Sequence, residues 1–102
     1  MKVENMKSAR TGKAIPNQFI ITDGNTMYFQ SYKTMICRIY KATNDVTIDN
    51  GESFDGKEEF SRTTVKYLLS FIREYTMWNV KSKANIDSLI KDGLFHTEDL
   101  NA

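Results

Sequence analysis

The chain has 102 residues, of which 40% are hydrophobic and 26% charged, with a formal net charge of +1 at pH 7. This composition predicts one globular domain and excludes a disordered chain, and the small net charge excludes a histone-like protein that binds through a global basic field. The single cysteine, Cys37, excludes an internal disulfide and a multi-cysteine zinc site.

The charges are unevenly distributed along the chain. Residues 1–18 carry four basic side chains against one acid, and residues 49–59 carry five acids against one lysine. This asymmetry is consistent with a bipolar surface, or with no more than a solvated tail and a solvated loop. We predict a basic N-terminal arm over residues 1–16 and a single α+β domain over residues 17–102. The predicted acidic loop contains Asp49, Glu52, Asp55, Glu58 and Glu59.

Runs of β-branched and aromatic residues, separated by turn residues, predict four short strands. Asp23-Gly24-Asn25 tolerates the positive φ of a tight hairpin, and Thr43-Asn44-Asp45 is a second turn candidate. In the third strand, alternation predicts that Met35, Cys37 and Ile39 share one face. Short connections favour an antiparallel meander. The predicted strands span residues 17–22, 27–31, 35–41 and 46–48.

Two helices are predicted after the strands. Ser61 is a candidate N-cap for an amphipathic helix that ends near Tyr75, and Ser82 is a candidate N-cap for a short helix over residues 83–92. Gly93 is expected to end that second helix. Residues 94–100 are expected either to add an edge strand or to wrap the domain. The predicted fold class is therefore α+β, a four-stranded antiparallel β-meander followed by one main amphipathic helix and a short C-terminal helix.

No pattern in the chain indicates catalysis. His96 is the only histidine and adjoins Phe95, and Cys37 lies among apolar residues with no neighbour in sequence to lower its pKa. Thr11-Gly12-Lys13 lacks the earlier glycine and the strand-to-helix setting of a phosphate-binding loop. We expect no enzyme, no cofactor and no metal site.

Binding is better indicated, because aromatic and basic residues alternate in the second and third predicted strands. Rings that stack on bases and cations that pair with phosphates are typical of single-strand nucleic-acid binding. The alternative is that many of these rings are core residues. On the main helix, Arg62, Lys66 and Arg73 fall within a narrow arc beside the apolar stripe. The candidate binding residues are Arg10, Lys13, Gln18, Tyr28, Gln30, Tyr32, Arg38 and Tyr40.

Three motifs carry a resemblance to a known family. They are RTGKAIPNQF at residues 10–19, YFQSY at residues 28–32 and SRTTVKY at residues 61–67. Together they resemble a small domain of unknown function carried by tailed phages, prophages and plasmids. The chain departs from that pattern at residues 58–60, where Glu-Glu-Phe replaces an aromatic-acid-aromatic triplet. The alternative is structural, since arms and helix caps use these residue types routinely.

A weaker, topological similarity links residues 17–75 to the PC4-type single-strand-binding fold of dimeric transcriptional coactivators. It carries no shared motif and adds little to the case for nucleic-acid binding.

The resemblance to mobile-element proteins implies a function class without an established activity. We expect a non-catalytic binding protein, a counter-defence (anti-CRISPR-like) or host-takeover inhibitor that binds a host protein or nucleoprotein in the host cytoplasm. The alternatives are a single-strand nucleic-acid-binding protein that uses an aromatic and basic sheet face, and an oligomer that sequesters a nucleotide signal. A homodimer is left open by the small size of the chain. No membrane partner is expected, because no apolar run approaches about 18 residues.

Overall fold

One mixed β-sheet with two helices forms the fold, seen in a computed structural model that describes residues 1–8, 10–50 and 61–101. The predicted α+β class is confirmed, and the predicted four strands are corrected to six within the described residues. The sheet order is β1-β2-β3-β4-β5-β6, antiparallel except that β6 runs parallel to β5. The elements are β1 Lys2–Lys7, β2 Ala14–Asp23, β3 Thr26–Ser31, β4 Thr34–Tyr40, β5 Asp45–Asp49, α1 Arg62–Tyr75, α2 Lys83–Lys91 and β6 His96–Glu98.

The N-terminal segment predicted as an arm forms strand β1 and the start of β2. Val3 pairs with Ile21 and Glu4 pairs with Ile20, and Met6 is buried in the core. The segment lacks clear alternation, so its strand depends on cross-strand hydrogen bonds that local sequence does not report. The arm is therefore corrected to a β1–β2 hairpin, and residues 8 and 10–13 are the described part of its connection.

Both predicted turns are present, and each uses a residue in the left-handed region. Gly24 has a φ of 61° between the paired residues Asp23 and Thr26, and Asn44 has a φ of 58° between β4 and β5. The Asn44 carbonyl oxygen accepts a 3.0 Å hydrogen bond from Trp78 Nε1. The second turn is therefore also tied to the segment that follows α1.

A bulge in β4 changes which of its side chains share a face. Phe29 pairs with Cys37, whereas the next residue, Gln30, pairs with Met35, so Ile36 is an extra residue in β4. Ile36 is fully buried. The predicted shared face is therefore wrong for Met35, because an inserted residue shifts the alternation of the strand.

Both helices begin at the predicted caps and pack on one face of the sheet. Ser61 Oγ accepts a 3.1 Å hydrogen bond from Thr64 N, and Ser82 Oγ accepts one of 3.1 Å from Asn85 N. These caps satisfy backbone donors that the first helical turn leaves free. The core between sheet and helices is built from Met6, Ile20, Met27, Phe29, Ile36, Cys37, Ile39, Val46, Ile48, Leu68, Leu69, Phe71, Ile72, Val80, Ile86 and Phe95.

After α2 the chain returns to the sheet, so the predicted fold, which ended in a helix, is corrected. The last element is β6, which is the edge-strand alternative for residues 94–100. β6 pairs with β5, and the segment beyond it is fixed by side chains. Asn101 Oδ1 accepts a 2.6 Å hydrogen bond from Met35 N, and Asn101 Nδ2 donates one of 2.9 Å to Met35 O. Asp49 Oδ1 accepts a 3.0 Å hydrogen bond from Leu100 N. These contacts are long-range, so local pattern could not predict them.

Candidate functional site

The sheet has one face that α1 and α2 cover and one face without a helix, among the residues that the structure describes. Alternate residues of a strand point to opposite faces, and the covered face carries the core residues of β2 to β5. We call the other side the open face. Its central row crosses all six strands through paired residues, Val3, Ile21, Tyr28, Arg38, Thr47 and His96.

Aromatic and aliphatic side chains dominate the β1–β4 part of the open face. Ile21 pairs with Tyr28, and both are half-buried, as is Phe19 on the same strand as Ile21. Val3 is 58% exposed and Tyr40 is 40% exposed. Contiguous apolar surface of this kind, rimmed by polar groups, marks interaction sites on proteins.

Arg38 lies at the centre of the open face and is held by two neighbours. Arg38 NH2 lies 2.6 Å from Glu98 Oε2 on β6, and the guanidinium carbon lies 5.1 Å from the centre of the Tyr40 ring. The Arg38 side chain is only 20% exposed. This arginine, the one that the described residues place on the open face, is therefore already paired with a carboxylate and stacked on a ring, and it offers little free positive charge.

The structure brings half of the predicted binding residues together on the open face. Tyr28 and Gln30 lie on β3, and Arg38 and Tyr40 lie on β4. The other half is dispersed. Arg10 and Lys13 are exposed on the β1–β2 connection, and Tyr32 is 64% exposed in the β3–β4 turn.

Gln18 is the predicted binding residue that the structure removes from the surface. It is 3% exposed on β2, beside its buried partner Ser31 on β3. The Gln18 Oε1 atom is buried and has no hydrogen-bond partner among the described residues. Alternation explains the difference, because Gln18 and Ile20 point to the covered face, and Phe19, between them in sequence, points to the open face.

The predicted acidic loop is only partly visible in the structure. Asp49 belongs to the end of β5 and is buried, where it accepts hydrogen bonds from Leu100 N and Asn101 Nδ2. Its prediction as a loop residue is corrected, since the C-terminal segment covers it. The other four acids, Glu52, Asp55, Glu58 and Glu59, lie outside the described residues.

A second candidate surface lies between the β1–β2 connection and α1. The sequence did not predict it as a binding site. We call this hollow, of about 280 Å³, the basic groove. Lys7 and Arg10 line one wall, and Lys66 and Arg73 line the other. The arc of basic residues predicted on the main helix was the available signal. What the sequence could not show is that the β1–β2 hairpin brings two more cations against that arc.

The two side chains considered for catalysis, Cys37 and His96, lie in different environments. Burial raises the pKa of the Cys37 thiol far above its usual range, so the reactive thiolate is disfavoured. The expectation that no neighbour in sequence lowers this pKa is corrected, because the Arg38 charge does so, but to a smaller extent than burial raises it. His96 is exposed on β6. Within residues 1–8, 10–50 and 61–101, no group of three or more His, Cys, Asp or Glu side chains could hold a metal ion. In the same ranges, no helix has the length and apolar character needed to cross a membrane.

Comparison with known proteins places the chain by sequence. A family of unknown function (DUF8033) matches residues 1–88, which include β1 to β5, α1 and most of α2. The matched range contains the basic groove and the open face apart from β6. No curated protein and no solved structure matches the chain.

Proposed function

The chain belongs to this family of unknown function, and we propose that it is a non-catalytic protein that binds a partner protein through its open face. The partner we propose is a host protein or nucleoprotein, and the consequence of binding is inhibition. The observation that carries the proposal is the aromatic face of the sheet that α1 and α2 leave uncovered, centred on Tyr28 and Arg38.

The chemistry of the open face matches that of protein interfaces. Tyrosine and arginine are enriched among the residues that contribute most to protein–protein affinity, and Tyr28, Arg38 and Tyr40 are neighbours here. Arg38 is held in place by Glu98 and the Tyr40 ring before any partner arrives. A surface that is already ordered loses less conformational entropy on binding.

The same observations disfavour single-stranded nucleic acid as the ligand of the open face. Its arginine is neutralised by Glu98, whose own side chain is 54% exposed. Asp45, paired with Tyr40 at the edge of the face, adds a second exposed carboxylate. Carboxylates repel phosphates, so the rings on this face lack the cations that a nucleic-acid strand needs.

An inhibitory role is supported by the motif resemblance rather than by the fold. The segments at residues 10–19, 28–32 and 61–67 resemble proteins carried by phages and plasmids. A small protein without a catalytic group acts on a larger host machine most directly by covering one of its working surfaces. Counter-defence and host takeover are both activities of this kind.

The test compares how tightly two alanine-substituted variants bind the partner. The tagged chain captures its partner from host lysate, the partner is purified, and its dissociation constant is measured by isothermal titration calorimetry. Tyr28→Ala is expected to weaken binding by about 30-fold or more, the effect of losing a side chain central to an interface. Met77→Ala is the control, because Met77 is exposed beyond the end of α1 and lies off the sheet.

Two results would contradict the proposal. One is a purified partner that binds Tyr28→Ala as tightly as the unaltered chain. The other is a stable homodimer, seen by light scattering, that Tyr28→Ala converts to a monomer, because the open face would then bind a second copy of the chain.

A further inference from the structure

We infer that the basic groove binds the phosphate backbone of a single-stranded nucleic acid. This site is separate from the open face and does not depend on the function proposed for that face. Four cations line the groove, two from the β1–β2 hairpin and two from α1, and no carboxylate lines it among the described residues. Clefts lined by one sign of charge concentrate ligands of the opposite sign.

The cations of the groove are not neutralised by carboxylates of the described residues. Lys66 Nζ lies 5.4 Å from the centre of the Tyr67 ring, a contact that keeps its charge. None of the ion pairs formed by the described residues involves Lys7, Arg10 or Lys66. Arg73 NH1 donates a 2.8 Å hydrogen bond to the Val80 carbonyl oxygen, which orients the guanidinium without neutralising it. This is the opposite of the situation of Arg38, whose charge is paired with a carboxylate within the protein.

Two acids lie in a neighbouring hollow. Glu4 and Glu74 line that hollow, which shares Lys7 with the basic groove. Glu4 is also paired with Lys2 at 3.7 Å. The attraction for an anion is therefore expected to be strongest around Arg10 and Lys66, away from this hollow, and these two residues are the ones to test.

The length of the basic surface favours a chain of phosphates over a single phosphate. Arg62 and Lys66 are one helical turn apart, and Arg73 follows on the same side of α1. With a rise of about 1.5 Å per residue, these three residues span about 16 Å along the helix. Lys13, exposed on the β1–β2 connection, extends the positive charge of the hairpin. Several successive phosphates can be contacted over such a distance.

The shape and the remaining lining favour a single strand over a duplex. A hollow of about 280 Å³ between a hairpin and a helix is too small to enclose a double helix, whereas part of a single strand can enter it. Tyr67 contributes a half-buried ring and Ser70 a hydroxyl to the groove. The ring can stack on a base, and the hydroxyl can donate to a phosphate oxygen. Single-strand sites commonly combine these two kinds of contact.

The experiment measures the salt dependence of binding by fluorescence anisotropy. The probes are labelled DNA and RNA single strands of about 16 nucleotides, and a DNA duplex of the same length, from about 50 mM to 200 mM salt. The double variant Arg10→Gln, Lys66→Gln is expected to bind the single strands more than about tenfold more weakly at the lowest salt. The slope of log affinity against log salt should fall by about 0.7 for each cation removed.

The control is the double variant Lys41→Gln, Lys91→Gln. Both lysines are exposed and lie outside the groove, so this variant loses the same charge and should keep the salt slope of the unaltered chain, or nearly so. Equal thermal unfolding temperatures for all variants would show that folding is intact. Equal losses in both double variants would overturn the inference, and so would the absence of single-strand binding at low salt. Tighter binding of the duplex than of the single strands would also overturn the inference. So would binding of inorganic phosphate without binding of either single strand.

Discussion

The two faces of the sheet use the same strands for different purposes. Phe29 and Tyr28 are neighbours on β3, yet the Phe29 ring is fully buried, 5.8 Å from the Phe71 ring of α1, whereas Tyr28 is half-buried on the open face. The same contrast occurs on β4, where Cys37 lies in the core and Arg38 lies on the open face. Of two adjacent residues in a strand, one side chain therefore stabilises the fold and the other is available for recognition.

The contrast shows that residue type alone does not identify a binding surface. Both faces carry aromatic rings, but among the described residues only the rings of the covered face pack against helices. The open face instead places its polar groups where they interact with each other, as Arg38 does with Glu98. A surface that satisfies its own charge and leaves its rings uncovered is suited to a protein partner.

Substitutions on the two faces should differ most in their effect on the free energy of unfolding. Phe29→Ala leaves a cavity in the core and is expected to lower the free energy of unfolding by about 3–5 kcal/mol. Tyr28→Ala removes a ring whose contacts are mainly cross-strand and should cost about 1 kcal/mol or less. Urea denaturation of both variants measures the difference. Similar losses would mean that the open face also contributes core packing.

A second prediction concerns pH and sharpens the contrast between Cys37 and Arg38. Desolvation by burial raises the pKa of the Cys37 thiol, and the smaller opposing effect of Arg38 does not offset it. The folded chain therefore keeps a proton that the unfolded chain releases at alkaline pH. Stability should fall as pH rises above about 8.5, by about 1.4 kcal/mol per pH unit. At lower pH, both states are protonated and this contribution to stability is fully present.

Cys37→Ala provides the comparison for that prediction. The variant lacks the thiol but keeps every other titrating group, so the difference between the two pH profiles isolates Cys37. Urea midpoints measured from about pH 8 to about pH 10 should fall more steeply for the unaltered chain than for the variant. Parallel profiles would mean that the thiol ionises without unfolding.

Part of the fold could be predicted from local sequence, and particular residues show which features could not. Ser61 and Ser82 were identified as caps because their hydrogen bonds are formed within three residues. Strand β1 was missed, since residues 2–7 offer no local pattern and the strand depends on pairing with β2. Strand β6 was expected only as an alternative for residues 94–100, and its pairing with the distant strand β5 decides it. The bulge at Ile36 was missed because it arises from the register between β3 and β4.

The candidate site was predictable to a similar degree. Alternation and composition placed Tyr28, Arg38 and Tyr40 among the binding candidates, and the structure places all three on the open face. The sequence could not say which face the helices would cover. Gln18 was therefore assigned to the surface although it is buried. The basic groove needed the position of the β1–β2 hairpin relative to α1, which is a tertiary fact.

The smallest stability effect, and the sharpest test of the contrast in charge, comes from Glu98→Gln. Losing this partly exposed ion pair should cost at most about 1 kcal/mol of stability. Its effect on binding should be larger, because it releases the charge of Arg38 beside the Tyr40 ring. In the Arg10→Gln, Lys66→Gln background, where the basic groove is weakened, Glu98→Gln should create salt-sensitive binding of single-stranded DNA on the open face. Anisotropy with the same labelled strand measures it.

The control for this prediction removes a carboxylate from another surface ion pair. Lys83 Nζ and Asp87 Oδ1 also lie 2.6 Å apart, on α2 and away from the open face. Asp87→Asn releases one cation but no ring beside it, so it should add little single-strand binding. If Glu98→Gln binds no better than Asp87→Asn, then neutralisation of Arg38 is not what keeps nucleic acid off the open face. The preference for a protein partner would then depend on the shape and apolar character of that face alone.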